Sequence, residues 1–269
     1  TDLSTGTRVH DIDWNNRSNF SHYEPVPGAN TIIVRTDENN REDFDLYSLS
    51  LDDGALTKLT DVPYIYGFGL DEPRERLYYV ARYPIEGKET YTSCLEWIPP
   101  AGGLKSEVVC DDAKLNFTWT ALNISPDCRW VYLAVNAEND RARSNVVRVD
   151  TVSRGAVPER ITEEAKRSTA GMVVDRLDDS SWLMLSDESG FTNLYRGTDA
   201  NGIEEPFTMY QGEDMQTASV LHAGGRTWVV VTLRRPFETE VVVLTTDGAV
   251  VDSTVIESNL YDLGHSKTE

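Results

Sequence analysis

A chain of 269 residues, 39% of them hydrophobic, can bury one large core or two small ones, and a net charge of −20 argues against nucleic acid as a partner, because phosphate binding needs clustered Lys and Arg. No apolar run approaches the length of a membrane span, and the opening Thr1-Asp2-Leu3-Ser4 lacks the regions of a signal peptide, so a soluble protein is expected, either cytoplasmic or exported after signal cleavage. Three Cys, none in a C-x-x-C pair, exclude a disulfide scaffold, a zinc knuckle and a dithiol redox motif, and no cofactor-binding motif occurs.

Short strands follow one another along the whole chain. Thr1 to Asp11 reads as the last hairpin of a preceding unit, since Leu3-Ser4-Thr5-Gly6-Thr7-Arg8-Val9 parallels Leu51-Asp52-Asp53-Gly54-Ala55-Leu56-Thr57. Five units come next, over residues 18–61, 64–110, 115–162, 168–210 and 214–257. Each has a nearly continuous apolar strand, starting near Thr31, Leu77, Trp130, Trp182 and Trp228, as expected of strands buried on both faces. Polar loops follow: Asp37 to Asp43, Tyr83 to Tyr91, Asn136 to Arg143, Asp187 to Thr192 and Leu233 to Glu238. A third strand then leads into a glycine turn, whose last glycines are Gly6, Gly54, Gly103, Gly155, Gly202 and Gly248, 46 to 52 residues apart. Glycine supplies the positive φ that tight hairpins need. A fourth strand follows the turn, for example Leu56 to Leu59 and Val250 to Ile256. Asn259 to Glu269 has room for one strand.

Four strands repeating at this length are the signature of propeller blades. The fold predicted is an all-β propeller of four-stranded antiparallel blades, about five complete and one partial, forming a single domain or a fragment of a larger propeller. Six evenly spaced hairpin turns do not suit a sandwich, and the unit is too long for a solenoid rung. Cys94 and Cys110 lie eight positions on either side of Gly102, so an antiparallel hairpin in simple register places them opposite each other and able to bridge, with Cys128 left free. A one-residue bulge at the glycines would instead point them to opposite faces.

Aligned as blades, particular segments become familiar. Ser186-Asp187-Glu188-Ser189-Gly190-Phe191-Thr192-Asn193-Leu194-Tyr195 resembles a blade segment of the prolyl oligopeptidase family of serine peptidases, in its dipeptidyl-peptidase-IV-like and acylaminoacyl-peptidase-like branches. Ser125-Pro126-Asp127-Cys128-Arg129-Trp130 resembles the Ser-Pro-Asp-Gly turn of the same propellers and of TolB-like ones, with Cys128 where glycine is usual. Asp45-Leu46-Tyr47-Ser48-Leu49 followed by Leu56-Thr57-Lys58-Leu59-Thr60-Asp61 is shared by both groups. The resemblance spans residues 18–258. It implies a propeller that caps a C-terminal α/β-hydrolase and restricts access to peptides.

The hydrolase chemistry itself is missing. The nucleophile elbow G-x-S-x-G does not occur, and His10, His22, His222 and His265 sit in no oxyanion motif, so no catalytic residue is assigned. In the dipeptidyl-peptidase branch a Glu pair grips the peptide amino terminus, and two carboxylates can neutralise one ammonium. Glu163-Glu164 is the candidate here, with Glu204-Glu205 a second, although neither has the family's surrounding sequence. Loop arginines of the family can bind peptide carbonyls, which nominates Arg41, Arg234 and Arg235. No metal site is assigned, because Asp37-Glu38-Asn39-Asn40 does not match an EF-hand loop. Three functions fit: the non-catalytic propeller of a serine peptidase, orienting peptides for a hydrolase outside this chain; a stand-alone TolB-like scaffold binding another protein; or a carbohydrate-active propeller.

Overall fold

The computed structural model describes residues 22–38, 41–88, 90–111, 116–117, 122–125, 127–136, 144–153, 155–162, 172–178, 180–187, 189–198, 202–212, 214–235 and 238–257. These are built from strands, and no helix in them is long and apolar enough to cross a membrane. The hairpin read in residues 1–11 and the strand read after Asn259 lie outside the described residues.

Five antiparallel sheets follow one another in chain order. The first contains β1 (His22–Val26), β2 (Thr31–Thr36), β3 (Asp45–Ser50) and β4 (Leu56–Lys58), and the second β5 (Ile65–Asp71), β6 (Arg76–Pro84), β7 (Tyr91–Ile98) and β8 (Ser106–Cys110). In the third, β9 (Asn116–Phe117) and β10 (Asn123–Ile124) both pair with β11 (Trp130–Asn136), ahead of β12 (Ser144–Asp150) and β13 (Glu159–Arg160). The fourth has β14 (Met172–Arg176), β15 (Ser181–Ser186), β16 (Asn193–Thr198) and β17 (Gly202–Pro206); the fifth has β18 (Asp214–Ala223), β19 (Arg226–Arg234), β20 (Glu238–Leu244) and β21 (Val250–Glu257). In each four-stranded sheet neighbours in sequence are neighbours in space, which is the up-and-down order of a propeller blade.

Two compact units arise: residues 1–138 with 148–159, and residues 139–147 with 160–269. In the first unit Ile33 and Leu46 of one blade pack with Ile65, Phe68, Leu77, Tyr79, Ala81 and Ile98 of the next. Gly69 lets β5 approach the third sheet, because a Cβ there would stand 3.0 Å from the Leu122 carbonyl oxygen. In the second unit Leu183, Leu185 and Leu194 pack with Val220, Val229, Val231 and Val242. Enclosure of the second strand is complete in the fourth blade, where all six residues of β15 are buried, whereas in β19 of the fifth blade buried Val229, Val231 and Leu233 alternate with partly exposed residues. Gly54 (φ 73°) and Gly248 (φ 83°) turn the chain from third to fourth strand in a conformation that other residues adopt only with strain.

One polar device recurs. The first residue of the third strand, Asp45, accepts a hydrogen bond from Thr60 Oγ1 (2.9 Å), while that hydroxyl accepts from the Leu46 N–H (2.9 Å). Asn145 and Thr162 repeat the pair (2.8 Å), with Val146 N–H on the hydroxyl (3.1 Å). Asn193 and Thr208 do so again (3.1 Å), with Leu194 N–H (3.0 Å). This latch ties the chain leaving the fourth strand to the start of the third, and it satisfies buried groups that no ladder reaches. It gives the Leu-Thr-Asp and Asn-Leu-Tyr motifs a structural purpose.

The Ser125 to Trp130 turn is held by its own side chains. Ser125 Oγ donates to Asp127 Oδ1 (2.5 Å) and accepts from Trp130 N–H (2.9 Å). Cys128 takes the left-handed conformation (φ 58°) that glycine would adopt freely, and its carbonyl accepts from Arg74. Burial and a hydrogen bond to Asp71 push the Cys128 thiol up to about 12, so it is a packed, protonated thiol.

Candidate functional site

Arginine and tyrosine side chains collect at one end of the first two blades. Arg35, near the end of β2, is almost wholly buried. Its Nε donates to the Ile65 carbonyl (2.8 Å), its Nη2 donates to the Tyr64 hydroxyl (3.5 Å), and its guanidinium lies 4.0 Å over the Phe44 ring. Phe44 meets Tyr64 edge to face at 5.5 Å, and Tyr64 meets Tyr66 at 5.4 Å. A β-bulge between Ile65 and Gly67 places Tyr66 as the extra residue of β5. Its hydroxyl is hydrogen-bonded to Ser93 and Arg82. Arg82, at the corresponding end of β6, stacks 3.5 Å over Tyr91, which is 51% exposed. Bulges recur in β14 between Val173 and Asp175 and in β18 between Met215 and Thr217, so a kinked first strand is a repeated feature.

Electrostatics at this end favour neutral donors beside fixed cations. Burial raises the Tyr64 and Tyr66 phenols, so both keep their protons. Burial lowers Arg35 from its ordinary value, yet a guanidinium remains charged in proteins. His22, opposite Arg35 across β1 and β2, packs its ring edge against Phe68 at 4.7 Å. Desolvation and then the Arg35 charge hold His22 below the usual range, in favour of the neutral imidazole. Two residues on, Glu24 accepts the Leu70 N–H (3.0 Å), and burial raises its carboxyl to about 7. Asp111 closes the far side: it accepts from Ser93 N–H (2.9 Å), Thr92 (3.0 Å) and Phe117 N–H (3.2 Å).

Among the residues nominated from sequence, Arg41 is exposed in the β2–β3 loop that joins Arg35 to Phe44. Arg234 is exposed at the end of β19, and Arg235 pairs with Glu238 and Glu240, each at 2.7 Å. Glu163 and Glu164 lie outside the described residues. Glu205 is exposed on β17. Cys94 faces Cys110 across β7 and β8, and the two are joined by a disulfide. Sequence reasoning passed over Arg35, Tyr64, Tyr66, Arg82 and Tyr91. A signal existed: an arginine closes the apolar second strand at Arg35, Arg82 and Arg234, and Tyr64-x-Tyr66 alternates into the next blade.

No protein-family model matches the sequence, and no curated protein matches it. Solved structures do resemble the fold. A protein assigned as TolB from Agrobacterium tumefaciens is 17% identical, with a TM-score of 0.63 over 89% of this chain and 82% of that one. A prolyl endopeptidase studied for inter-domain dynamics in catalysis is 11% identical, with a TM-score of 0.67 over 88% of this chain and 35% of its own. Prolyl oligopeptidase B from Galerina marginata is 10% identical, with a TM-score of 0.66 over 89% of this chain and 35% of its own. The chain thus spans about a third of each peptidase and most of the TolB protein. At these identities the likeness establishes architecture alone: the chain has the β-propeller fold seen in the TolB protein and in the propeller of prolyl oligopeptidases.

Proposed function

We propose that this chain is the non-catalytic propeller of a serine peptidase, which holds extended peptides for a C-terminal α/β-hydrolase domain outside this chain. The arrangement of Arg35, Tyr64, Tyr66, Arg82 and Tyr91 carries the reading. Exposed Tyr91, backed by the Arg82 guanidinium at 3.5 Å, is a rigid platform for an apolar or proline side chain. The neutral Tyr64 and Tyr66 hydroxyls and the exposed Arg41 can donate to peptide carbonyls, which always present acceptors. Arg35 is buried and fully engaged, so its part is to position Phe44 and Tyr64. Arg234, Arg235, Glu163 and Glu164 stand as peptide-contact candidates on the resemblance to the dipeptidyl-peptidase branch alone, separately from this cluster. Fluorescence anisotropy with a labelled proline-containing peptide tests the reading. A Tyr91→Ala, Arg82→Ala double variant should bind at least about 10-fold more weakly, the loss of roughly 1.4 kcal/mol. Equal binding by wild type and variant would refute it.

A second reading has its own support. The TolB protein is matched over 82% of its length, whereas the peptidases are matched over 35%. In that reading the chain is a scaffold for another folded protein. Capture of a folded partner with no affinity for short peptides would favour it.

A further inference from the structure

The second blade carries a chemistry that peptide binding does not use. Cys94 of β7 lies directly opposite Cys110 of β8. The register of this hairpin slips between Leu95 and Glu96, so that Glu96 faces Glu107 and Val108 is the extra residue. Without the slip Glu107 would point to the opposite side from Cys110. With it, both side chains share one face. The Cys94 and Cys110 sulfurs and a Glu107 carboxylate oxygen all lie within 4.8 Å of one another. Glu96, on the same face, is committed elsewhere: it accepts from Tyr83 (2.8 Å) and Lys105 (2.9 Å).

We propose that, when the disulfide is opened, Cys94, Cys110 and Glu107 bind one thiophilic divalent cation of the zinc class, so that this blade edge alternates between a covalent and a metal-held staple. Two equivalents of a small-molecule thiol reduce the bridge: the S–S bond breaks, Cys94 and Cys110 each gain one hydrogen, and the thiol leaves as its own disulfide. The cation then displaces both thiol protons and takes two thiolates and one carboxylate. That set is the soft-sulfur and hard-oxygen mixture that Zn2+ accepts. Bonds of about 2.3 Å in a tetrahedral angle hold sulfurs about 3.8 Å apart, so the two sulfurs must part once the bridge is opened. Glu107 is exposed, Cys110 half-buried and Cys94 buried, so the cation would reach the site from the Glu107 side, with water as fourth ligand. A net charge of −20 favours cation approach.

Cobalt(II) titration of the purified chain, before and after phosphine reduction, tests this. The reduced protein should bind one Co2+ with a sulfur-to-cobalt charge-transfer band, displaced by Zn2+; the oxidised protein should show none. Cys110→Ser should abolish the band. Glu107→Gln should weaken binding about 10-fold. Cys128→Gly should leave it unchanged. The two redox states of the native chain carry the test even where a variant fails to fold. Absence of a band in the reduced native chain, its survival in Cys110→Ser, its loss in Cys128→Gly, or equal affinity in concentrated urea would each overturn the proposal.

Discussion

Thr60→Val removes one hydroxyl from a latch that the fold repeats. Valine fills the same volume, so the effect isolates hydrogen bonding. The Leu46 N–H loses its acceptor at 2.9 Å, and Leu46 is wholly buried, so water cannot replace it. An unsatisfied buried donor costs about 1–3 kcal/mol. Asp45 loses its donor at 2.9 Å but keeps the Val62 N–H (3.2 Å) and Lys58 (2.8 Å), so its share is roughly another 1 kcal/mol. Burial holds the Asp45 carboxyl above its ordinary range in spite of those partners, which marks how much it depends on them. The sum is about 2–4 kcal/mol, and at about 2–4 °C per kcal/mol for a chain of this size the first thermal transition should fall by roughly 4–16 °C. Differential scanning calorimetry reads it. Thr60→Ser, which keeps the hydroxyl, should lose less than half as much. If Thr60→Val melted within about 1 °C of wild type, the latch would contribute nothing and the reasoning would be wrong.

Thr208→Val should act in the same way on the second unit, because it strips the Leu194 N–H and Asn193 of one partner each; urea melts check it. Glu24, raised to about 7 by burial, binds its proton more tightly folded than unfolded, where a carboxyl titrates near 4.5. Its contribution is therefore full below about pH 4.5 and is lost as pH rises through 7. Glu24→Gln should lose this component of the pH dependence, so the wild-type minus variant stability should fall from pH 4.5 to 8; a flat difference would count against it. Mass spectrometry of the unreduced, denatured chain should find one disulfide and a single alkylatable thiol, Cys128. Cys128→Gly should change stability by less than about 1 kcal/mol, because relief of the left-handed backbone offsets the lost side chain, whereas Cys128→Val should cost about 2 kcal/mol or more; chemical denaturation of both variants decides.

Blade architecture was legible because its determinants are local and repeat. Turn glycines such as Gly54 and Gly248, and a run such as Trp182-Leu183-Met184-Leu185, report the backbone conformation and two-sided burial of their own segment, without reference to the rest of the chain. Five copies of the same pattern then multiply a weak signal. That β9 and β10 both pair with β11 was not legible, since pairing depends on the partner strand rather than on the propensities of two-residue segments. The candidate site depends on distance in sequence in the same way. Arg35 finds the Ile65 carbonyl 30 residues away, Glu24 finds the Leu70 N–H 46 residues away, and Arg82 finds Tyr91 across a loop. Each of those residues alone is an ordinary arginine, glutamate or tyrosine on a strand. Only the packing of one blade on the next makes Arg35 a buried cation among aromatic rings and moves the Glu24 carboxyl, because desolvation and charge proximity are properties of the assembled neighbours and not of the residue.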